Sequence, residues 1–417
     1  MRRPSVAAMS LRRPLTALAV LFVLVPALAA QEREMPPGHV LVGEGPGGSR
    51  VTAGLGLLFR GEFRDDADPG VAGGASDSVL GGRGLFALGV DWGPYLSGLA
   101  ELRGSFVDGF GGDVGLHQAW LRLDEVLGDW AVTAGRMELE LGEGLVVSPS
   151  RGWLFEPNAW DGARVSGSGW RGSWDLWVTD AGEGPAQAFD ENFLGAHGAL
   201  STGDRSDLDL FLLSRHRTAE SMTEITYAAT WRGRTRGGLD WLVYGALQDG
   251  RRQGREVWTQ GFRFQAVQEL DHGHHVGLHL GYAKGNDEDL ADWKRYDPVY
   301  LDQHRWDGRA DLFAFSNLID LSLLYWLEWN PRWSLHADLH GFWRQSTQDD
   351  AYSAYTLAPY GLGVGGERFL GRELDLYAEG VLGPHASVDF GISWFSPSAI
   401  FPGDDQLWLF LQLVLES

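Results

Sequence analysis

The sequence predicts an all-β fold, a transmembrane antiparallel β-barrel of about 18 strands with short periplasmic turns and long extracellular loops. Three observations predict it. Many segments alternate apolar and polar residues, the connections between them alternate between short and long, and no stretch approaches the ~18 continuous apolar residues of a membrane-spanning helix. The 58 glycines, 19 tryptophans, 20 phenylalanines and 11 tyrosines also suit an all-β chain.

The N-terminus has the pattern of a secretory signal peptide, which we place at residues 1–29. Four arginines precede an apolar run at 15–25, and an Ala-Leu-Ala cleavage pattern ends at Ala29. The apolar run is too short for a membrane anchor of ~20 residues. We expect residues 30–50 to form an N-terminal periplasmic segment and residues 51–417 to form the barrel.

Composition excludes several classes of protein. The 417 residues include no cysteine, so no disulfide framework holds the exported chain. Loss of the four leader arginines changes the formal net charge from −22 to −26 (−22 − 4), and so acidic a protein is a poor partner for nucleic acid. There is no Gly-x-Ser-x-Gly elbow and no Walker motif. We therefore expect no catalytic residues, no metal and no cofactor.

The final segment, QLWLFLQLVLES, illustrates the alternation. Its leucines at 407, 409, 411, 413 and 415 share one face, opposite Trp408, Phe410 and Gln412. If the apolar faces of such strands contact lipid, the other faces line a lumen. The charged residues expected to face inward are Arg60, Glu62, Glu101, Arg103, Arg122, Asp124, Arg164, Asp209, Arg263, Asp338, Asp375, Glu379 and Asp389.

The connections carry the strongest signal. Short turns are predicted at residues 93–94, 127–128, 202–205, 330–331 and 383–385, and long loops at 65–79, 136–159, 181–191, 285–315, 345–372 and 396–405. A secreted sandwich or propeller is the alternative, but the chain has no repeat of ~40 residues. Aromatic residues also cluster near strand ends, as in membrane-interface girdles. An even number of strands leaves both termini on the periplasmic side.

A barrel of 16 to 18 strands encloses an aqueous channel, whereas about eight strands are filled by their own side chains. The strand number therefore predicts a transport function. The candidate substrate passage consists of the arginines expected in the lumen or at its constriction: Arg60, Arg103, Arg122, Arg136, Arg164 and Arg263. The solute could be an anionic polysaccharide, or the barrel could be a general small-solute or sugar porin. A barrel enzyme and an adhesive barrel are further alternatives.

The segment GRMELELGEGLVVSPSRGWLFEPNAWDGARV, residues 135–165, interrupts the alternation. Its mixture of glycine, proline, tryptophan and charges suits a loop that packs on something. Two placements are open: the loop folds into the lumen and narrows it, or it packs on the outer rim of the barrel.

This segment resembles the signature of the alginate export family of outer-membrane porins. The matching positions are Gly135, Arg136, Glu138, Leu139, Gly142, Glu143, Trp153, Asp161 and Gly162. Trp160 belongs to the same motif loop but stands where the family has phenylalanine. The similarity continues through LHQAWLRL, SNLIDLSL, LGRELDL and DFGISWFSPSAIFPGDD, so it covers most of the mature chain. The resemblance implies an 18-stranded barrel that conducts an anionic exopolysaccharide, with arginines pairing with its carboxylates in a narrow passage.

The partners and the location follow from this interpretation. We expect the protein in the outer membrane of a Gram-negative-type bacterium, embedded in outer-membrane lipid and inserted by the barrel-assembly machinery. A polysaccharide or small-solute ligand and periplasmic export partners are the further expected partners, and nucleic acid is not one.

Overall fold

The computed structural model describes residues 39–45, 48–65, 76–109, 111–169, 171–183, 191–288, 291–354 and 356–417. The predicted signal peptide, and residues 30–38 of the predicted periplasmic segment, lie outside the described residues. Among the described residues, no helix is long and apolar enough to cross a membrane. The described residues include short 3₁₀ turns at Asp271–Gly273 and Gln303–Arg305.

The strands within the described residues are β1 His39–Glu44, β2 Arg50–Asp65, β3 Asp77–Trp92, β4 Leu96–Val107, β5 Gly111–Leu123, β6 Ala131–Met137, β7 Ala159–Gly169, β8 Gly172–Glu183, β9 Glu191–Gly203, β10 Ser206–Arg217, β11 Met222–Arg234, β12 Leu239–Arg252, β13 Arg255–Glu269, β14 His274–Ala283, β15 Asp292–Trp293, β16 Leu318–Asn330, β17 Trp333–Arg344, β18 Phe369–Gly383, β19 Ala386–Pro397 and β20 Gln406–Glu416.

The sheet closes on itself as a barrel. Strands β2–β14 and β16–β20, thirteen and five, make eighteen, and each pairs antiparallel with its neighbours. The barrel closes where β2 pairs with β20, with Gly56 opposite Glu416 and Asp65 opposite Leu407. Closure leaves no open edge in the hydrocarbon region, where an unpaired backbone group costs several kcal/mol. The prediction of an antiparallel barrel of about 18 strands is confirmed.

The predicted alternation of connections is also confirmed. At one end of the barrel the strands are joined by turns of about two to seven residues, including 93–95, 204–205, 331–332 and 384–385. At the other end lie the long connections 138–158, 284–317 and 345–368. In outer-membrane barrels the short turns are periplasmic, so both ends of the described chain lie on the periplasmic side.

Burial in the strands is inverted relative to a water-soluble protein. On β10, Leu210 and Leu212 point outward and are 46% and 48% exposed, whereas Asp209, Arg215 and Arg217 are buried inside. Other strands of the barrel likewise expose apolar side chains and bury polar ones, because neighbouring residues of a strand point to opposite faces. The apolar band faces lipid, and the interior is polar.

Strand β1 occupies an unusual position. It pairs with the periplasmic end of β2, with His39 opposite Gly54 and Glu44 opposite Arg50. Strand β20 stops just above it, at Glu416 opposite Gly56. The residues from 39 to 44 therefore continue the line of β20 towards the periplasm.

Two long loops fold into the lumen. The first, residues 138–158, is the β6–β7 loop, and the second, residues 284–317, is the β14–β16 loop, which contains β15. Both contribute buried residues to an apolar core inside the barrel, with Leu139, Val147 and Tyr296 among its members. Of the two placements left open by the sequence, the structure shows the first: residues 138–158 of the glycine- and tryptophan-rich segment lie in the lumen.

Candidate functional site: the occupied lumen

The tip of the β6–β7 loop is a tight turn built on left-handed backbone. Gly142, Glu143 and Gly144 have φ angles of +70°, +58° and +73°. Glycine is favoured at such positions because it has no Cβ, and a Cβ at residue 142 would lie 2.9 Å from the Phe211 ring. The Glu143 carboxylate accepts a hydrogen bond from Arg232 on β11, close to a periplasmic turn. The loop therefore crosses the barrel into its periplasmic half.

Trp153 fixes the other half of this loop. The His304 ring stacks on its indole with centroids 3.3 Å apart and an interplanar angle of 6°. The Arg60 guanidinium lies 3.7 Å from the centroid of the Trp153 ring, a cation–π contact. Arg60 also donates to the Trp153 carbonyl, 2.6 Å away. One tryptophan thus connects the barrel wall at β2 to both inserted loops.

An ion cluster holds the start of the same loop. Arg151 donates to the Glu101 carboxylate at 2.8 and 3.0 Å and to the Glu138 carboxylate at 3.1 Å. His117 Nε2 lies 2.7 Å from Glu138. Glu101, His117 and Glu138 are the only residues of the described chain that meet the geometry of a three-ligand metal group. Arg151 bridges the two carboxylates, so part of their charge is compensated within the protein.

The β14–β16 loop is held by a buried charge network. Asp297, 2% exposed, accepts a hydrogen bond from Arg252 on β12 and lies 3.7 Å from Arg215 and 4.0 Å from Arg217 on β10. The arginines raise the acidity of Asp297: burial opposes its charged form, but their charges outweigh burial and hold its pKa well below the usual range. Further along the loop, Arg263 on β13 donates to Asp307 at 2.7 Å.

Backbone hydrogen bonds join the two inserted loops directly. Ser148 N–H donates to the Tyr300 carbonyl at 2.9 Å, and Tyr300 N–H donates to the Val146 carbonyl at 3.2 Å. Asp302 N–H donates to the Gly144 carbonyl at 2.8 Å. These contacts resemble a short ladder, so the loops form one unit inside the barrel.

Burial perturbs several titratable groups of the β14–β16 loop, and Asp302 and His304 are two of them. Burial raises the pKa of Asp302 to about 6, and the neighbouring Asp311 carboxylate acts in the same direction. Burial lowers the pKa of His304 well below its usual value, and the charges of Arg309 and Arg60 add to this. Neutral His304 accepts a hydrogen bond at Nε2 from Arg309, 3.1 Å away, so Nδ1–H donates to Asp311 at 3.0 Å.

The raised pKa of Asp302 gives a testable pH dependence. Above pH 6 the inserted loop carries a poorly solvated charge, and protonation removes this cost as the pH falls through about 6 towards the ordinary value near 4. Asp302→Asn should therefore stabilise the inserted loops by about 1–3 kcal/mol at pH 7.5 and should match the wild type near pH 4.

The measurement is hydrogen exchange at the Ser148 and Tyr300 amides, which join the two loops. Asp287→Asn serves as the control, because Asp287 lies in the same loop and is 49% exposed. Faster exchange in Asp302→Asn than in the wild type at pH 7.5 would contradict the assignment.

Below the joined loops lies a cavity of about 540 Å³. Its wall shares Glu379, Asp389 and Gln412 with a recess that reaches the periplasmic turn at residues 331–332. Five carboxylates line the cavity, those of Asp302, Asp338, Asp375, Glu379 and Asp389, together with two arginines, Arg305 and Arg309. The lining also includes four histidines, His279, His304, His336 and His340, and four large aromatic rings, Trp153, Trp306, Trp326 and Tyr377. The cavity is therefore an acidic and aromatic vestibule facing the periplasm.

A comparison with protein families now identifies the chain. The sequence profile described as "Alginate export" matches residues 112–404, more than half of the 417 residues. The chain belongs to the alginate export family. The predicted resemblance of the chain to the alginate export family is thereby confirmed. We find no significant match among curated proteins.

Solved outer-membrane barrels share the fold of this alginate export family member. OccK11 (OpdR) of Pseudomonas aeruginosa has a TM-score of 0.61 and 16% identity over 88% of this chain and 96% of that chain. OccD3 (OpdP) of the same organism has a TM-score of 0.61 and 12% identity over 92% and 95%. The outer membrane protein OprD of P. aeruginosa has a TM-score of 0.56 and 13% identity over 87% and 93%. At such low sequence identities, the similarity shows that the fold is shared and nothing more.

Family membership and fold together make the protein an outer-membrane channel and not an enzyme. Five of the six arginines predicted for the substrate passage do face the lumen, and each contacts a carboxylate. The pairs are Arg60–Glu62 at 2.7 Å, Arg103–Asp113 at 2.7 Å, Arg122–Asp124 at 2.9 Å, Arg164–Asp175 at 2.6 Å and Arg263–Asp307 at 2.7 Å. Their charges are therefore compensated within the protein.

Arg136 departs from the predicted placement. Its neighbour Met137 packs in the lumen core with the β6–β7 loop, so the alternation of β6 directs Arg136 to the outer face. There it makes a bidentate pair with Asp161 on β7, with both distances 2.7 Å. This pair stabilises adjacent strands near the outer end of the barrel and does not line the lumen.

Other residues of the segment that resembles the family signature support the loop structurally. Gly135 and Gly162 allow close strand approach, because a Cβ at either position would lie 2.1 Å from a carbonyl oxygen of an adjacent strand. Trp160 is fully buried and makes an edge contact with Tyr300, with centroids 5.1 Å apart. Gly142, Glu143 and Trp153 form the turn and the stack described above.

Several residues of the candidate site were not predicted from the sequence and belong to the β14–β16 loop: Asp297, Asp302, His304, Trp306 and Arg309. A signal was present, because WKRYDPVYLDQHRWDGRADLFAF mixes tryptophan, arginine, aspartate and glycine much as the signature loop does. That composition, in a long loop of a barrel, indicates packing inside the lumen.

Proposed function

We propose that this channel conducts small polar solutes, up to about the size of a short oligosaccharide, and that the inserted loops set the size limit. The observation that carries the proposal is the 540 Å³ cavity between the inserted loops and the periplasmic opening. Cavities of ~300–1,000 Å³ suit small molecules rather than the unimpeded passage of a broad polymer.

The charges of the cavity favour neutral or cationic solutes over a polyanion. Its lining has five carboxylates against two arginines. Both of those arginines, Arg305 and Arg309, contact carboxylates of the chain. A polyuronate entering this vestibule would lose hydration without gaining unpaired cations, which makes its transfer costly.

A second candidate is an anionic polysaccharide or oligosaccharide resembling alginate. Membership of the alginate export family supports it. The lumen wall also carries buried arginines beneath the loops, among them Arg60, Arg103 and Arg263. In this candidate, displacement of the loops makes those arginines accessible to uronate carboxylates.

The test is single-channel recording of the refolded protein in a planar bilayer. A neutral oligosaccharide and an oligouronate of matched length are added in turn from the periplasmic side. We expect the neutral sugar to block the current more strongly than the oligouronate. Block by the oligouronate alone would instead support the second candidate, and correctly folded barrels that pass no current would overturn the small-solute proposal.

Arg305→Gln separates the two candidates further, because Arg305 lines the cavity and is 53% exposed. The variant should leave block by the neutral sugar unchanged. If the second candidate is correct, the variant should weaken block by the oligouronate. Arg251→Gln, at a residue that is 73% exposed outside the cavity, is the matched control.

A further inference from the structure

In the vestibule wall formed by β17, β18 and β19, negatively charged residues lie opposite each other on adjacent strands. Asp338 lies directly opposite Asp375 in the β17–β18 register, and Glu379 lies directly opposite Asp389 in the β18–β19 register. All four line the same cavity. Like charges directly opposite each other destabilise a sheet, so this wall favours a nearby cation. Neighbouring groups already meet part of this need, because His340 lies 3.7 Å from Asp375 and the Tyr377 hydroxyl donates to Asp338 at 3.2 Å.

The chain supplies one cation from the β14–β16 loop. The Arg309 guanidinium lies 4.0 Å from the centroid of the Tyr377 ring. It donates to Glu379 at 3.0 Å and to Asp389 at 3.4 Å. An aromatic face with two carboxylates at its edge is the arrangement that recognises an organic cation. Arg309 therefore occupies a guanidinium-binding position that is formed by Tyr377, Glu379 and Asp389 of the wall.

One guanidinium does not satisfy the site. Asp338 Oδ1 and Asp389 Oδ1 have no hydrogen-bond partner among the described residues. Trp306, which also lines the cavity, is 7% exposed, and its indole N–H has no partner within the described part of the chain. These three polar atoms are buried behind the surface of the cavity, where they can pair with polar groups of a bound molecule once the wall adjusts.

We propose that this vestibule binds a small organic cation, bearing an ammonium or guanidinium group and at least one oxygen acceptor, in competition with Arg309. The cation contacts the face of Tyr377 and the carboxylates of Glu379, Asp389 and Asp338, and an oxygen of the ligand accepts from Trp306. The inference deepens the proposed function, since it rests on the vestibule being part of the solute path. Arginine and glucosamine have the required groups.

The test is calorimetric titration of the folded, detergent-solubilised barrel. Arginine and glucosamine are compared with N-acetylglucosamine, which keeps the sugar but loses the charge, and with glucuronate, which reverses it. We expect binding of the two cations at least tenfold tighter than binding of either comparison sugar. Equal affinity for glucosamine and N-acetylglucosamine would overturn the inference.

Two variants separate this site from general attraction by an acidic barrel. Asp389→Asn should weaken arginine binding about tenfold, the effect of one lost charge-assisted contact of ~1.4 kcal/mol. Asp240→Asn, in a different recess of the periplasmic mouth, should bind as the wild type does. Equal weakening in both variants would show that only the total charge matters and would overturn the site.

Arg309→Ala tests the competition directly, because the variant leaves the guanidinium-binding position beside Tyr377, Glu379 and Asp389 empty. The variant should bind arginine more tightly than the wild type, whereas loss of a purely structural arginine would weaken binding or leave it unchanged. If Arg309→Ala does not fold, Arg309→Gln provides the same comparison with a smaller change in volume. Neutral-sugar block of the channel, measured separately, reports on the proposed function, so the two can fail independently.

Discussion

Removal of residues 139–157 should increase the single-channel conductance several-fold. The deleted segment fills the lumen with buried side chains, including Leu139, Val147 and Trp153. Strands β6 and β7 remain paired up to Met137 opposite Trp160, so a short glycine-serine linker can replace the segment without changing the barrel ladder. The measurement is conductance in a planar bilayer, with the folded state of the barrel verified by its migration in unheated gels.

A point variant isolates the part of Trp153 in this effect. Trp153→Ala removes the stack on His304 and the contact with Arg60, and truncation of such a buried tryptophan costs about 3–5 kcal/mol. We expect more frequent and larger open states than in the wild type. Trp258→Ala is the matched control, because Trp258 is 60% exposed on the outer surface. Unchanged conductance in both the deletion and Trp153→Ala would mean that the β6–β7 loop does not limit the pore.

Asp297→Ala should release the β14–β16 loop from the lumen. Asp297 is the carboxylate shared by Arg215, Arg217 and Arg252. Without it these buried arginines lack part of their charge compensation, and breaking a buried ion pair costs about 3–5 kcal/mol. The expected result is rapid tryptic cleavage after Lys294 or Arg295 in a barrel that is otherwise folded.

Asp287→Asn is the control for this experiment. Asp287 lies in the same loop and pairs with Lys294 at 2.9 Å, but it is 49% exposed, and an exposed pair contributes at most about 1 kcal/mol. This variant should resist trypsin as the wild type does. Because the low pKa of Asp297 keeps it charged, the protection should also persist in the wild type down to mildly acidic pH. Equal cleavage of Asp297→Ala and the wild type would show that Asp297 does not hold the β14–β16 loop in the lumen.

The candidate site was only partly predictable from the sequence. Alternation correctly placed Arg60, Arg103 and Arg263 in the lumen, because the side-chain direction of a strand residue depends on its immediate neighbours. The same reasoning did not place Arg136, which lies next to the end of a strand, where the register of one residue decides between lipid and lumen. It also could not identify the carboxylate partner of each arginine, since partners such as Arg263 and Asp307 lie 44 residues apart.

The sequence by itself determined the barrel, the side of the long loops and the polar lumen, because these depend on the period-two pattern and on local turn chemistry. Only the tertiary structure decided that two loops fill that lumen and that Trp153 stacks on His304. It also decided that Arg309 pairs with both Glu379 and Asp389. These contacts join residues 70 or more positions apart. Their formation depends on which buried charges and rings can satisfy one another once the barrel has closed, and no local pattern specifies that choice.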